Sequence, residues 1–368
     1  MALITNNIWD WRVLTRTIDE RRRPNGFLRS LLFGEINTNE EQILELTVYQ
    51  GDREVMPFIK RGAPAQKVQG YGDQTRQVRP PILRNVMPIE SYKYLNQVPA
   101  GELGTGGGVS QKVMRKIQRD LDRMNDFADN AEETLIGQVL GDSSGAAKIS
   151  YQASTGVGFE SEVYELTYPR SADNFVDITT ASEQWDNATP ADPSVVLEDA
   201  KDRLAEVGLV ATHAIMGSNV RTVFSQSDAV KKNLDYRRMT QAGPMPLGGD
   251  FKPAGLEGAV YHGDYAALQM WSYGRKYYKV DPDGTKTLTD VIDPNSVYVI
   301  SVTPRSQFVM EYGGIEDLVA VQNNSMAQRR FVKAWTQEEP SGAFSLMESH
   351  PLPVPYMVDS VVQIQPLS

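Results

Sequence analysis

The chain has 368 residues, with 37 Lys and Arg against 47 Asp and Glu, and its formal net charge of −10 excludes a surface that is basic all over and built for nucleic acid. Hydrophobic residues make up 40% and charged residues 23%, enough to build a core, and the absence of Cys excludes disulfide scaffolds, thiol catalysis and thiolate metal sites. No apolar run approaches the roughly 18 residues of a membrane span, and MALITNNIWDW lacks a signal-peptide layout, so a soluble protein made inside the cell is expected.

Residues 1–34 hold six Arg against Asp10, Asp19 and Glu20, and Arg12–Phe33 reads as helix in part. Within it FLRSLLF (Phe27–Phe33) forms an apolar patch after the break at Arg21, Arg22, Arg23 and Pro24. ILELTVYQ then alternates as extended chain, with Ile43, Glu45, Thr47 and Tyr49 opposite Leu44, Leu46 and Val48. Arg61–Pro81 is rich in Gly, Pro, Gln and Arg, and Val68, Tyr71 and Val78 are too few to nucleate a core. Residues 57–84 carry six bases (Lys60, Arg61, Lys67, Arg76, Arg79, Arg84) against Asp73. A polar stretch of this length is predicted to be a protruding arm that becomes ordered on a neighbour.

The strongest element is a helix from an N-cap at Ser110 to a C′ glycine at Gly141. Val113, Ile117, Leu121, Met124, Ala128, Ala131, Leu135 and Val139 form one apolar stripe on a rod of about 45 Å. Its other face runs from basic (Lys112, Arg115, Lys116, Arg119) to acidic (Asp126, Asp129, Glu132, Glu133), against the helix macrodipole. Such a helix needs a sheet or partner along it and would act as a rigid spine.

Residues 151–200 are polar and extended to about 190, and hold Arg170 against ten acids. A basic N-terminal third beside this acidic middle suggests complementarity between neighbouring copies, while each run taken singly is a solvated face. A helix follows with Asp192 as N-cap, Pro193 at N1, Val196, Ala200, Leu204 and Val207 as its stripe, and Gly208 as its stop. VATHAIMG (Val210–Gly217) reads as a buried strand, with short helices after Ser218 and Ser227 and a Gly/Pro-rich loop over 239–258. AVYHG, AALQMWS, RKYYKV, SVYVISV and QFVMEY then read as strands, followed by RRFVKAW, FSLMES and SVVQIQ. The late strands can supply a sheet for the spine. The expected class is therefore α+β in two lobes, with the chain leaving the first near 150 and returning near 320.

No constellation in the sequence would carry a reaction. GDSSG (Gly141–Gly145) matches a nucleophile elbow, but a helix precedes Ser143 and a strand follows, the reverse of what the elbow needs. His213, His262 and His350 all lie downstream of Ser143, so the chymotrypsin order fails, and their spacing fits no zinc site. Asp281 and Asp283 belong to a turn rather than a calcium loop. GTGGG (Gly104–Gly108) lacks the Lys-Ser/Thr of a phosphate loop and reads as a hinge. Neither a catalytic residue nor a cofactor or metal is expected.

The order of parts resembles the major capsid proteins of tailed phages, of the lambda major head protein type (the major capsid protein E family). The resemblance rests on the FLRSLLF arm, PFIKRGAPAQKV (Pro57–Val68) closed by RPPIL (Arg79–Leu83), the spine, KNLDYRR (Lys232–Arg238), YHGDY (Tyr261–Tyr265) and the ending FSLMESHPLPVPYMVDSVVQIQ. It implies the Hong Kong 97 phage capsid fold, with an N-terminal arm over 1–40, an extended loop over 41–88, a peripheral domain with the spine over 89–150 and 320–368, and an axial domain over 151–319. It also implies inter-subunit contacts at Arg61, Lys67, Arg76 and Arg79 on the extended loop, and at Asp235, Arg237 and Arg238 in the axial domain. Arg21, Arg22, Arg23, Lys112, Arg115, Lys116 and Arg119 would face DNA, and Gly104, Gly106, Gly107 and Gly108 would form a hinge. The implied partners are further copies in pentamers and hexamers, a separate scaffolding protein (no long helical pro-segment precedes the arm), a portal, a decoration protein and packaged double-stranded DNA. The implied place is the virion, after assembly in the bacterial host cytoplasm. An encapsulin-like nanocompartment shell is the alternative within the same fold, and a serine hydrolase using Ser143 the alternative outside it.

Overall fold

The computed structural model describes residues 26–48, 74–90, 109–152, 163–187, 191–233, 258–280, 285–304, 306–338 and 342–367. Its longest element is the expected spine, Val109–Leu140, whose 32 residues span about 48 Å. It starts one residue before Ser110, so Ser110 lies in its first turn and is not the N-cap expected of it. Leu121, Met124, Ala128, Leu135 and Val139 of the apolar stripe are buried and Ala131 is half-buried. The side chains of Val113 and Ile117 lie outside the described residues.

A six-stranded sheet holds, in spatial order, Phe175–Asp177, Val361–Gln365, Val297–Ile300, His213–Met216, Leu268–Tyr273 and Ala259–Tyr265. Its central strands VYVI and VVQIQ are covered on both faces, which is why VYVI reads as an unbroken apolar run and Gln363 is buried within VVQIQ. On one face lie the helices Pro193–Glu206, Ser218–Gln226 and Asp228–Asn233, packing Leu197, Ala200, Leu204, Val220, Phe224 and Val230 onto Met216, Val299 and Val362. The first of these helices begins as expected, with the Asp192 carboxylate accepting the Ser194 N–H at 2.9 Å and Pro193 in its first turn. On the other face lie the short helix Phe27–Leu32 and the end of the spine, through Phe27, Phe33, Ile136 and Leu140 against Ile215, Tyr298 and Ile300.

Two three-stranded sheets complete the frame. In one, Glu35–Thr38 runs parallel to Phe308–Tyr312, which pairs antiparallel with Pro351–Pro355. The PLPVP segment was not expected as a strand. It survives three prolines because it is an edge strand, where missing N–H donors cost no ladder bond. In the other, Gly342–Ser349 lies between Phe331–Gln337 and Leu83–Glu90 and packs Val332, Ala343 and Met347 against Leu121, Met124 and Ala128 of the spine. The segment from 320 onward is thus divided between sheets, since Val361–Gln365 belongs to the six-stranded one.

Three antiparallel hairpins pack against this body: Leu44–Val48 with Gln74–Val78, Lys148–Gln152 with Val163–Thr167, and Lys276–Val280 with Lys286–Asp290.

Candidate functional site

The C-terminal half of the spine is fixed at two places by groups from distant parts of the chain. An α-helix leaves its last four carbonyls without helical partners. Here Arg170 donates Nη2–H to Val139 at 3.0 Å and Nη1–H to Leu140 at 2.8 Å. Tyr298 donates its hydroxyl to Gly141 at 2.9 Å, and Gln363 donates Nε2–H to Asp142 at 2.7 Å. Arg170 is the lone base of the acidic stretch 151–200, and it brings the positive charge that the last turn of the helix itself lacks. Burial pulls its pKa down to about 10 against the pull of Tyr298, Asp359 and Asp142, so it stays charged at neutral pH. Gly141 sits at φ 134°, the C′ role expected of it. One turn earlier Gly137 lets the helix approach Val291 so closely that a Cβ would lie 2.1 Å from its carbonyl oxygen.

Two to three turns before that end is an ionic node. Glu132 accepts from Arg330 at 2.9 Å, from Arg329 at 3.3 Å and from Arg29, while Asp129 pairs with Arg330 and, at 3.3 Å, with Arg329. Burial alone would raise the Glu132 carboxyl, but Arg330, Arg329 and Arg29 outweigh it and hold the pKa at about 2. The adjacent Glu133 has the opposite fate. Burial raises its pKa, although it accepts from Tyr273 Oη–H at 2.7 Å and from the backbone N–H groups of Leu28 and Arg29 at 2.8 and 3.2 Å. Those two N–H groups open the helix Phe27–Leu32, so Glu133 acts as its cap from across the fold. The node thereby clamps the N-terminal segment and the Arg329–Arg330 pair onto the spine.

The acidic end of the face opposite the apolar stripe thus belongs to the interior. Asp129, Glu132 and Glu133 are buried, and only Asp126 of the four is exposed. The signals that pointed to burial were Arg29 inside FLRSLLF and the Arg329–Arg330 pair opening an apolar strand.

At the base of the basic arm, Leu44, Leu46 and Val78 are buried with Leu135 and Val139 of the spine and with Ala147, Ile149 and Tyr168. Val78, one of three apolar residues too few to nucleate a core of their own, joins a cluster that other elements supply. Arg76 is exposed and donates Nη1–H to the Thr167 carbonyl of the neighbouring hairpin at 3.3 Å, and Arg79 is exposed. Arg119 is exposed on the spine. Lys112, Arg115 and Lys116 lie on the same helix, their side chains outside the described residues. Arg21, Arg22, Arg23, Arg61, Lys67, Gly104, Gly106, Gly107, Gly108, Asp235, Arg237 and Arg238 all lie outside the described residues.

Beside the base a groove opens between Leu83–Glu90 and the spine. It is lined by Ile82, Met124, Phe127, Ala128 and Met347, with Arg123 5.4 Å from the centre of the Phe127 ring. Ile82 and Phe127 are each 44% exposed, and Val86 of the strand 43%. Ser143 lies exposed in the turn after the spine, and the hydroxyl held by Asp142 is that of Ser144, at 2.6 Å. Among the described residues no group of three His, Cys, Asp or Glu could hold a metal ion, and no helix is long and apolar enough to cross a membrane.

The profile of a family described as phage major capsid protein E matches residues 10–365. Among solved structures, the candidate capsid protein of a prophage of Escherichia coli CFT073 superposes with a TM-score of 0.71 at 18% identity, covering 97% of this chain and 98% of its own. A phage-related protein of Bordetella bronchiseptica RB50 gives 0.48 at 11% identity over 96% of each chain. The capsid of Ralstonia phage GP4 gives 0.46 at 14% identity over 93% and 91%. No curated protein matches the sequence.

Proposed function

The chain belongs to the phage major capsid protein E family, and from that premise we propose how its parts serve a shell. It is a shell-forming capsid protein with the fold of the Hong Kong 97 type, and its place is the virion. Copies associate as hexamers and pentamers into an icosahedral head around a double-stranded DNA genome. The observation that supports this reading best is the family match over residues 10–365 on a chain whose spine is clamped over its C-terminal half. One sequence that must fit two ring sizes needs a stiff body with modest heterologous contacts at its edges.

In this reading the N-terminal arm covers residues 1–40, the extended loop 41–88, the peripheral domain 89–150 and 320–368, and the axial domain 151–319. Arg61, Lys67, Arg76 and Arg79 meet acidic groups of the adjacent copy, while Asp235, Arg237 and Arg238 meet neighbours around the ring centre. Gly104, Gly106, Gly107 and Gly108 bend between ring types. Arg21, Arg22, Arg23, Lys112, Arg115, Lys116 and Arg119 face the DNA, where many weak contacts add up through counterion release. The role is structural and involves no catalysis. Assembly in the host cytoplasm with a separate scaffolding protein, a portal and a decoration protein completes the reading.

Electron microscopy of the full chain, expressed alone and with a scaffolding protein, tests it. Closed shells are expected, and subunits that stay small and soluble in both cases would overturn it. DNA protected from nuclease inside the shells separates a genome container from a nanocompartment that holds protein cargo.

A further inference from the structure

The hairpin of Lys276–Val280 and Lys286–Asp290 is packed on one face and open on the other. Tyr277 turns inward to the cluster of Phe27, Tyr273 and Tyr298. Tyr278 and Leu288 are direct cross-strand partners and point outward, 67% and 53% exposed. An apolar residue exposed singly needs no explanation, but an aromatic and an aliphatic side chain paired at the centre of a two-stranded sheet make a patch. It is flanked by Lys276, paired with Asp290 at 3.2 Å, and by Lys286.

A complementary surface exists on the helix Pro193–Glu206. Val195, Asp199, Asp202 and Glu206 recur at spacings of four, three and four, so they share one stripe, and all four are exposed. Val195 supplies an apolar end, 62% exposed, beside a row of three acids. Lys201 does not neutralise that row, because it is held by Glu198 at 2.7 Å and by the Ala266 carbonyl at 3.1 Å.

The two surfaces lie on opposite sides of one lobe. The helix covers one face of the six-stranded sheet through Leu197, Ala200 and Leu204, whereas the hairpin joins the cluster on the other face through Tyr277. A ring of identical copies needs two different, complementary patches on opposite flanks, each used once by every copy. We propose that the Tyr278–Leu288 face of one copy docks on the Val195–Glu206 stripe of the next copy around a capsomer, with Lys286 against Asp202 and Glu206. This deepens the capsid reading and rests on it.

Particles of the full chain, assembled from a mixture of isotopically light and heavy copies, are treated with a zero-length carbodiimide cross-linker. Mixed-isotope peptides joining Lys286 to Asp202 or Glu206 are expected. The double variant Tyr278→Asp with Leu288→Asp is expected to stay soluble, with an unchanged circular dichroism spectrum, and to give at least tenfold fewer particles. In a second pair, Lys286→Glu lowers the yield and adding Asp202→Lys restores it. Wild-type particles without the cross-link, or normal yield from the double variant, would overturn the proposal and leave the capsid reading standing. Wild-type chains that form no particles would overturn both.

Discussion

Arg170 donates Nη1–H to the carbonyl oxygen of Leu140 at 2.8 Å, joining the lone base of an acidic stretch to the last residue of the spine. The same guanidinium reaches Val139, so one side chain satisfies two of the four orphan carbonyls. Arg170→Met removes both donors and the charge at the negative end of the helix. The expected loss is about 2–4 kcal/mol, from two buried acceptors left unpaired, read as the shift of the urea midpoint. Arg170→Lys should recover only part of it, because an ammonium cannot reproduce the planar fork. A methionine variant as stable as the parent would show that water replaces the cap at no cost.

Gly137 offers a test in which local propensity and packing give opposite signs. Gly to Ala inside a helix ordinarily stabilises by about 1 kcal/mol. Here the new Cβ would stand 2.1 Å from the Val291 carbonyl oxygen, a backbone atom that cannot swing away. Gly137→Ala is therefore expected to destabilise by about 1–3 kcal/mol, as overpacking does. A rise in the thermal midpoint would mean that the spine can slide on the loop that carries Val291.

Acid stability follows from Glu132. Its folded pKa of about 2 lies below the ordinary value of 4.5, so its contribution is fully present above pH 4.5 and is lost as pH falls toward 2. That difference corresponds to about 3 kcal/mol. Glu133 acts with the opposite sign: its raised pKa makes its charge a cost at higher pH, relieved as pH falls through that value. Urea unfolding at a series of pH values should show stability dropping below pH 4.5 in the parent. Glu132→Gln should be less stable by about 3–5 kcal/mol at neutral pH, with three Arg left around an uncharged group, and should lose most of the acid slope. An unchanged slope would move the acid sensitivity elsewhere.

These features divide what was legible in the sequence from what was not. The helix Pro193–Glu206 could be read to its first residue because Asp192, Pro193, Ala200 and Leu204 are all local signals. Its core face nevertheless turns on Leu197 and leaves Val196 and Val207, which the spacing had put in the stripe, half-buried. The spine was legible for the same reason, as was Gly141. The node was not, because whether Asp129 and Glu132 are solvated or buried depends on Arg329 and Arg330, some two hundred positions away. Sign and spacing along one helix say nothing about that. PLPVP was hidden by its prolines, which are tolerated only because the pairing order puts that strand at an edge. Of the residues chosen as inter-subunit contacts, Arg76 and Arg79 are exposed, and sequence could not show that the strand bearing Arg76 also carries a core residue, Val78.

Folding and assembly are thus separated within four positions, 76–79. Arg76 is exposed, its side chain donating to the Thr167 carbonyl, and Arg79 is exposed, so Arg76→Glu with Arg79→Glu should cost less than about 1 kcal/mol of folding stability. Two reversed charges on the arm should nevertheless leave soluble subunits and at least a tenfold drop in particle yield. Val78 is 6% exposed among Leu44, Leu46 and Leu135, so Val78→Asp buries a carboxylate in an apolar cluster and should unfold the base, leaving aggregated or degraded chain. Gradient sedimentation with circular dichroism on each fraction distinguishes the two outcomes. If the arginine variant builds shells at the parental yield, the exposed side of this hairpin is not a tie between copies, and its basic charge serves the surface alone.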